Sequence, residues 1–231
     1  MIPLPRAFPL VLCLASLLFL SAAPAQNLPW QDAMDAAAAA HRRGDLDAAE
    51  RQLEAAVGVA EEAGLVAPLA ESLQALGLIH FERGDDEMAA SLLRRAVVIL
   101  EAAGAEQRPR LAGSLNALGL VQARRGQFQA AEAAYLRALA LFEETFGPTH
   151  ENLGRVTRSL AGLYLTEGRY ERAEQRFREA LAIFETALGP SHREVGQTLE
   201  AYAGVLRLTG REAAAEALEV RAKAIYKGRS D

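Results

Sequence analysis

The chain has few of the residues from which reactive sites are usually built. Cys13 is the one cysteine among 231 residues, so no disulfide can form within the chain and no cysteine cluster can hold a metal. There is no G-x-S-x-G, no H-E-x-x-H and no Walker glycine loop, which removes the common hydrolase, zinc-protease and nucleotide-binding signatures. Lysine is nearly absent: of 25 basic residues only Lys223 and Lys227 are lysine. Genome composition accounts for this arginine excess as readily as carboxylate recognition does. Net charge is −5 and the basic residues are spread throughout, so the concentrated basic face of a nucleic-acid binder is missing. Aromatic residues make up only 6% of the chain. Any core must therefore come from alanine and leucine between closely approaching backbones. Period-two alternation is also lacking, which argues against strands.

What is present is a repeated pattern. The stretch from Pro148 to Gly189 reads as two helical patterns hinged at Gly168. In the first, Leu160, Ala161 and Tyr164 share a face; in the second, Ala173, Phe177, Ala180, Leu181 and Phe184 do. The hinge recurs: Gly84, Gly126, Gly168 and Gly210 are each 42 residues apart, and Gly44 lies 40 before Gly84. Seven residues before each glycine stands Ala37, Gly77, Gly119, Ala161 or Ala203. Five after it stands Ala49, Ala89, Ala131, Ala173 or Ala215, and twelve after it Ala56, Ala96, Ala138, Ala180 or Ala222. Small side chains are needed where helix axes approach closely, because a larger residue would overpack the contact. The sequence therefore predicts five stacked helical hairpins over approximately 28–64, 66–104, 108–147, 148–189 and 190–227, filling an array from 26 to 231. A hairpin cannot bury its apolar faces alone, and stacking neighbours supplies the burial. The first unit, rich in alanine from Ala36 to Ala40, should be the least stable. No capping helix follows the last unit, so the outer face of its second helix, with Val220 and Tyr226, must be solvated or covered by another chain.

Residues 1–25 read differently. Arg6 gives a positive start, Leu10 to Leu20 an apolar run, and Ala23-Pro24-Ala25 a small-residue end, as in a secretory signal peptide. Cleavage after Ala25 would export the chain to a periplasm or the outside; an uncleaved leader would instead anchor it in a membrane. Cys13 sits inside the apolar run rather than behind a small residue at its end, which argues against lipid attachment. A cleaved chain has no thiol.

At Leu160-Ala161-x-x-Tyr164 with Ala173-x-x-x-Phe177 and Ala180, the chain resembles the tetratricopeptide family. Leu118-Gly119 with Ala131-x-x-x-Tyr135, and Leu76-Gly77 with Ala89-x-x-x-Leu93, carry the same resemblance. The 42-residue spacing and the loops Gly147-Pro148-Thr149-His150 and Gly189-Pro190-Ser191-His192 are similar to the longer kinesin-light-chain type of repeat. The resemblance implies an all-α, right-handed solenoid of about five helix pairs, with a partner-binding concave face built from the first helix of each pair. It implies no catalytic residue, metal or cofactor. Carried over by register, one inner column is Gln74, Asn116, Arg158 and Glu200. Asn116, in Ser114-Leu115-Asn116-Ala117-Leu118, resembles the family's backbone-contacting asparagine, whose amide both donates and accepts. Neighbouring columns add Leu78, Leu120, Phe81, Leu165, Arg124 and Arg155. The implied groove is apolar toward unit two and basic around units three and four, suiting a protein segment with an apolar residue and a carboxylate. Alternatively those arginines pair with nearby glutamates. The function expected is that of an exported, non-catalytic scaffold or adaptor holding a peptide or helix of another protein. The rival is an assembly subunit that forms homo-oligomers or docks on a membrane complex through its terminal hairpins. His150 and His192, 42 apart in matching loops, fit a shared task at the start of the next helix better than a shared metal. Acidic doublets such as Glu61-Glu62, Asp85-Asp86 and Glu143-Glu144 read as solvated surface.

Overall fold

The computed structural model describes residues 29–228. The leader lies outside the described residues. Within them the chain forms ten α-helices and no strand. In chain order these are α1 (Pro29–Arg42), α2 (Leu46–Glu62), α3 (Val66–Arg83), α4 (Asp86–Ala102), α5 (Arg108–Arg124), α6 (Phe128–Phe146), α7 (Glu151–Thr166), α8 (Tyr170–Leu188), α9 (Arg193–Leu208) and α10 (Glu212–Lys227). A single 3-10 turn, Ala105–Gln107, precedes α5. Each odd-numbered helix packs on the even-numbered helix after it and, from α3 on, also on the one before it, which makes a single-file solenoid of five hairpins. The odd-numbered helices α3, α5, α7 and α9 also touch in sequence and form one wall of the stack.

The hairpins turn where the glycines predict. Gly44, Gly84, Gly126, Gly168 and Gly210 all have φ between +72° and +85°, a left-handed conformation that a Cβ disfavours. After the first two hinges a side chain starts the next helix. Asp45 and Asp85 accept from the backbone N–H of Ala48 and Met88 at 2.9 and 3.1 Å. His150 and His192 do the same for α7 and α9, their Nδ1 atoms accepting from Asn152 and Glu194 N–H at 3.2 and 3.3 Å. The two matching histidines are helix caps.

Close packing explains the small columns. Ala49, Ala89, Ala131, Ala173 and Ala215 are fully buried, as are Ala56, Ala96, Ala138, Ala180 and Ala222. A methyl group placed on Gly119 would lie 2.6 Å from Tyr135 Cε1, so this contact tolerates no side chain at all. One apolar cluster runs from Ala70 to Ile225. The first hairpin has a second, smaller cluster of Ala33, Met34, Ala37, Ala40, Ala49, Leu53 and Ala56, joined to Ala75, Leu76 and Ile79 of α3.

The fifth hairpin departs from the chemistry of the others. Nine residues after the hinge glycine, where other pairs bury Leu53, Leu93, Tyr135 and Phe177, α10 carries Glu219, which pairs with Arg207 of α9. Four residues further on, the series Val57, Val97, Leu139 and Leu181 ends in Lys223. Val220 is 60% exposed. Tyr226, expected on the open side, instead lays its ring against Gly196 and donates its hydroxyl to Glu200 Oε2 at 3.0 Å.

Ion pairs stitch neighbouring hairpins together. Arg95 pairs with Glu61, Arg137 with Glu101 and Arg221 with Glu185, each joining the second helices of two units. Near the hinges, Arg83 pairs with Asp47 and Glu50, Arg124 with Asp86, Arg169 with Glu132 and Arg211 with Glu174. The acidic doublets are therefore not merely solvated: Glu61, Asp86 and Glu144 each accept an arginine. Sequence alone could not show this, because the partners lie 34 to 38 residues away.

Candidate functional site

The inner wall is a set of columns counted back from each hinge glycine. Ten residues before the glycine stand Met34, Gln74, Asn116, Arg158 and Glu200; six before it stand Ala38, Leu78, Leu120, Gly162 and Gly204. These side chains lie beside the positions that pack, and most are half-buried. Leu78, Leu120 and Leu165 rest on the core with one side open. Gly162 has nothing within 4 Å of the place a Cβ would occupy, and the same holds at Gly204. The floor of the wall therefore runs from leucine in units two and three to bare backbone in units four and five.

The polar members are connected from one hairpin to the next. Ser114 Oγ donates to Gln74 Oε1 at 2.8 Å, and Arg158 Nη1 donates to Thr198 Oγ1 at 3.3 Å. Ser72 Oγ receives the Trp30 indole N–H at 2.8 Å and lies 3.7 Å from Met34 Sδ. Among the described residues Asn116 has no such partner. The residue in register with Ser114 and Thr198 is Val156, and Asn116 Oδ1 is buried without a hydrogen bond.

Phe81 and Arg124 form a clamp between units two and three. Phe81 is buried, and the Arg124 guanidinium lies 3.4 Å above its ring centroid. Arg124 also donates to the Phe81 carbonyl at 2.5 Å and to Asp86 Oδ1 at 2.6 Å. Both side chains border the wall and are occupied with holding it together.

The expected basic stretch is matched from within. Arg158 and Arg155 converge on Glu194 of α9, at 2.6 and 3.4 Å, and Arg155 also reaches Glu151 at 3.3 Å. Burial pushes the Glu194 carboxyl up, but the charges of Arg158 and Arg155 outweigh it and hold the group below the usual carboxylate range. At the other end, burial pushes Glu71 above its ordinary value, with the Arg110 charge offsetting part of the effect. Glu71 and Glu194 both escaped sequence reasoning. Glu71 stands thirteen residues before its hinge glycine, the same register as Arg155, which would have placed it on the wall. Glu194 shows itself only once α9 is packed beside α7.

Among the described residues no group of histidine, cysteine and carboxylate side chains is placed to hold a metal. None of the described helices is long and apolar enough to cross a membrane.

Tetratricopeptide-repeat family models match residues 69–103 and 110–186. The chain carries tetratricopeptide repeats. Its solenoid is similar to the crystal structure of BtubC (BKLC) from P. vanneervenii, with a TM-score of 0.73 and 23% identity over 88% of this chain and 82% of that one. It is also similar to a Podosopora anserina putative kinesin light chain with nearly identical TPR-like repeats, with a TM-score of 0.71 and 20% identity over 90% of this chain and 100% of that one. A third similar structure is the Rap conjugation gene regulator of plasmid pLS20 in complex with the Phr* peptide, at TM-score 0.72 and 15% identity over 87% of this chain and 54% of that one. Comparison with curated proteins gives no match. At these identities the likeness is one of fold. Tetratricopeptide solenoids generally serve as protein-interaction scaffolds, and here the odd-numbered helices supply the wall on which an interaction surface would be built.

Proposed function

We propose that this chain is an exported, non-catalytic scaffold of the 42-residue, kinesin-light-chain-like type that holds a peptide or helix of another protein against the inner wall of its repeats. The observation that carries this reading is the wall itself. Leu78, Leu120 and Leu165 are half-open, and Gly162 and Gly204 leave room for a second backbone to come close, beside the half-buried Asn116. Mid-helix glycine costs roughly 1 kcal/mol relative to alanine, and nothing in the packing of this chain requires it at these two positions. Gln74 lines the same wall, with Phe81 and Arg124 as its border. Arg155 and Arg158 are already matched by Glu194, so a partner carboxylate would have to share or displace that contact. Apolar burial and main-chain hydrogen bonding therefore contribute more to capture than charge does.

Export rests on the pattern of Met1 to Ala25 and places the scaffold in a periplasm or outside the cell. An intact mass of the purified chain tests it: a species beginning at Gln26 supports export by cleavage, and one retaining Met1 favours a membrane anchor.

The wall is tested by a photo-reactive residue placed at Leu165 or, for comparison, at the exposed Ala182 on the second helix of the same unit. Illumination in the native compartment should give a protein adduct from position 165 and none from 182. Adducts from position 182 alone, or from neither, would overturn the reading.

A further inference from the structure

The four junctions between successive hairpins follow one plan, and the third departs from it on two of its three sides. On the inner wall, a hydroxyl from the later hairpin meets the side chain ten residues before the hinge of the earlier one at three junctions. Those contacts are Ser72 with Met34, Ser114 with Gln74 and Thr198 with Arg158. At the third junction Val156 replaces the hydroxyl and Asn116 Oδ1 is left without a hydrogen bond. On the outer side, arginine meets glutamate at the other three junctions, as in Arg95 with Glu61 and Arg221 with Glu185. The same register sets Glu179 against Glu143. Glu179 turns to Arg176 of its own helix at 2.7 Å, and Glu143 makes no ion pair among the described residues. Only the hinge side is held as elsewhere: Glu132 accepts from the Tyr164 hydroxyl at 2.5 Å and from Arg169 at 3.1 Å.

We infer that the solenoid bends at the junction between α5–α6 and α7–α8, pivoting on the contacts of Glu132 with Tyr164 and Arg169. A junction fastened along one side and lacking its polar ties on the other two has one direction in which it opens cheaply. The two carboxylates in register on the outer side supply none of the attraction that an arginine and a glutamate supply at the other junctions. Asn116 stands at the inner side of the bend, so rotation about Glu132 changes how far the halves of the inner wall stand apart. Curvature at this junction is set by the chain's own contacts, whatever the wall binds.

Nitroxide labels at three exposed alanines in equivalent positions test it: Ala140, Ala182 and Ala224, each fourteen residues after a hinge glycine. In the full chain with Cys13→Ala, the label pair 140/182 spans the third junction and the pair 182/224 the fourth. The distance distribution for 140/182 should be the broader of the two. Glu179→Arg, which offers Glu143 an arginine, and Val156→Thr, which offers Asn116 a hydroxyl, should each narrow it toward that of 182/224. Equal widths for the two pairs in the parent chain would overturn the inference, and so would a broad 140/182 distribution that neither substitution narrows.

Discussion

Single side chains decide which positions of this chain can change. Gly119 and Gly162 are both interior helical glycines, seven and six residues before their hinges, yet their surroundings are opposite. Gly119 faces the Tyr135 ring at a distance that no Cβ can adopt; Gly162 faces open space. Gly119→Ala should therefore lower stability by about 1–3 kcal/mol through overpacking. Gly162→Ala should raise it by up to roughly 1 kcal/mol through helix propensity alone. Urea titration of the two variants beside the parent chain measures both shifts as changes in midpoint. The small column containing Gly119 was legible in the sequence because it recurs in register with the hinge. What each position touches was not: Ala161 and Gly119 read alike, and only packing shows that one accepts a methyl group and the other does not.

At the scale of helices, the sequence reveals the elements better than their ties. Hinge glycines, caps and apolar faces are local signals, and α7 and α8 fall where Leu160, Tyr164, Ala173 and Phe177 place them. The ties between hairpins are long-range, so residues that looked like solvated charge prove to be connectors. Register alone puts Arg155 and Arg158 on the groove face and leaves open whether they pair with nearby glutamates; Glu194, lying between them, decides for pairing. One tie has a consequence for pH. Glu174 on α8 is held down to about 2 by the hydrogen bond from Arg211, assisted by the Tyr202 hydroxyl and the charges of Arg178 and Arg211, against the upward push of burial. A carboxyl with a depressed folded-state value stabilises the fold above its unfolded value of 4.5, and that contribution fades as pH falls toward 2. Thermal melts should show the parent chain losing stability across this window more steeply than Glu174→Gln. Parallel pH profiles for the two chains would mean that this tie between the last two hairpins contributes nothing to the balance.

For the whole molecule, close nesting and the inner wall have the same origin. Tiny residues at the crossings let the helices nest, and nesting leaves the first helices of successive pairs side by side as a continuous wall. α10 carries Glu219 and Lys223 where earlier pairs carry apolar side chains, so its chemistry differs from that of the other second helices. The composition of the inner wall is not explained by packing. Its two bare glycines give the most direct test, because filling them changes the wall without touching the core. In a chain carrying the photo-reactive group at Leu165, Gly162→Leu combined with Gly204→Leu should abolish the partner adduct while the melting temperature holds or rises. An adduct formed in unchanged yield by that filled chain would contradict the claim that a partner's backbone lies against this wall.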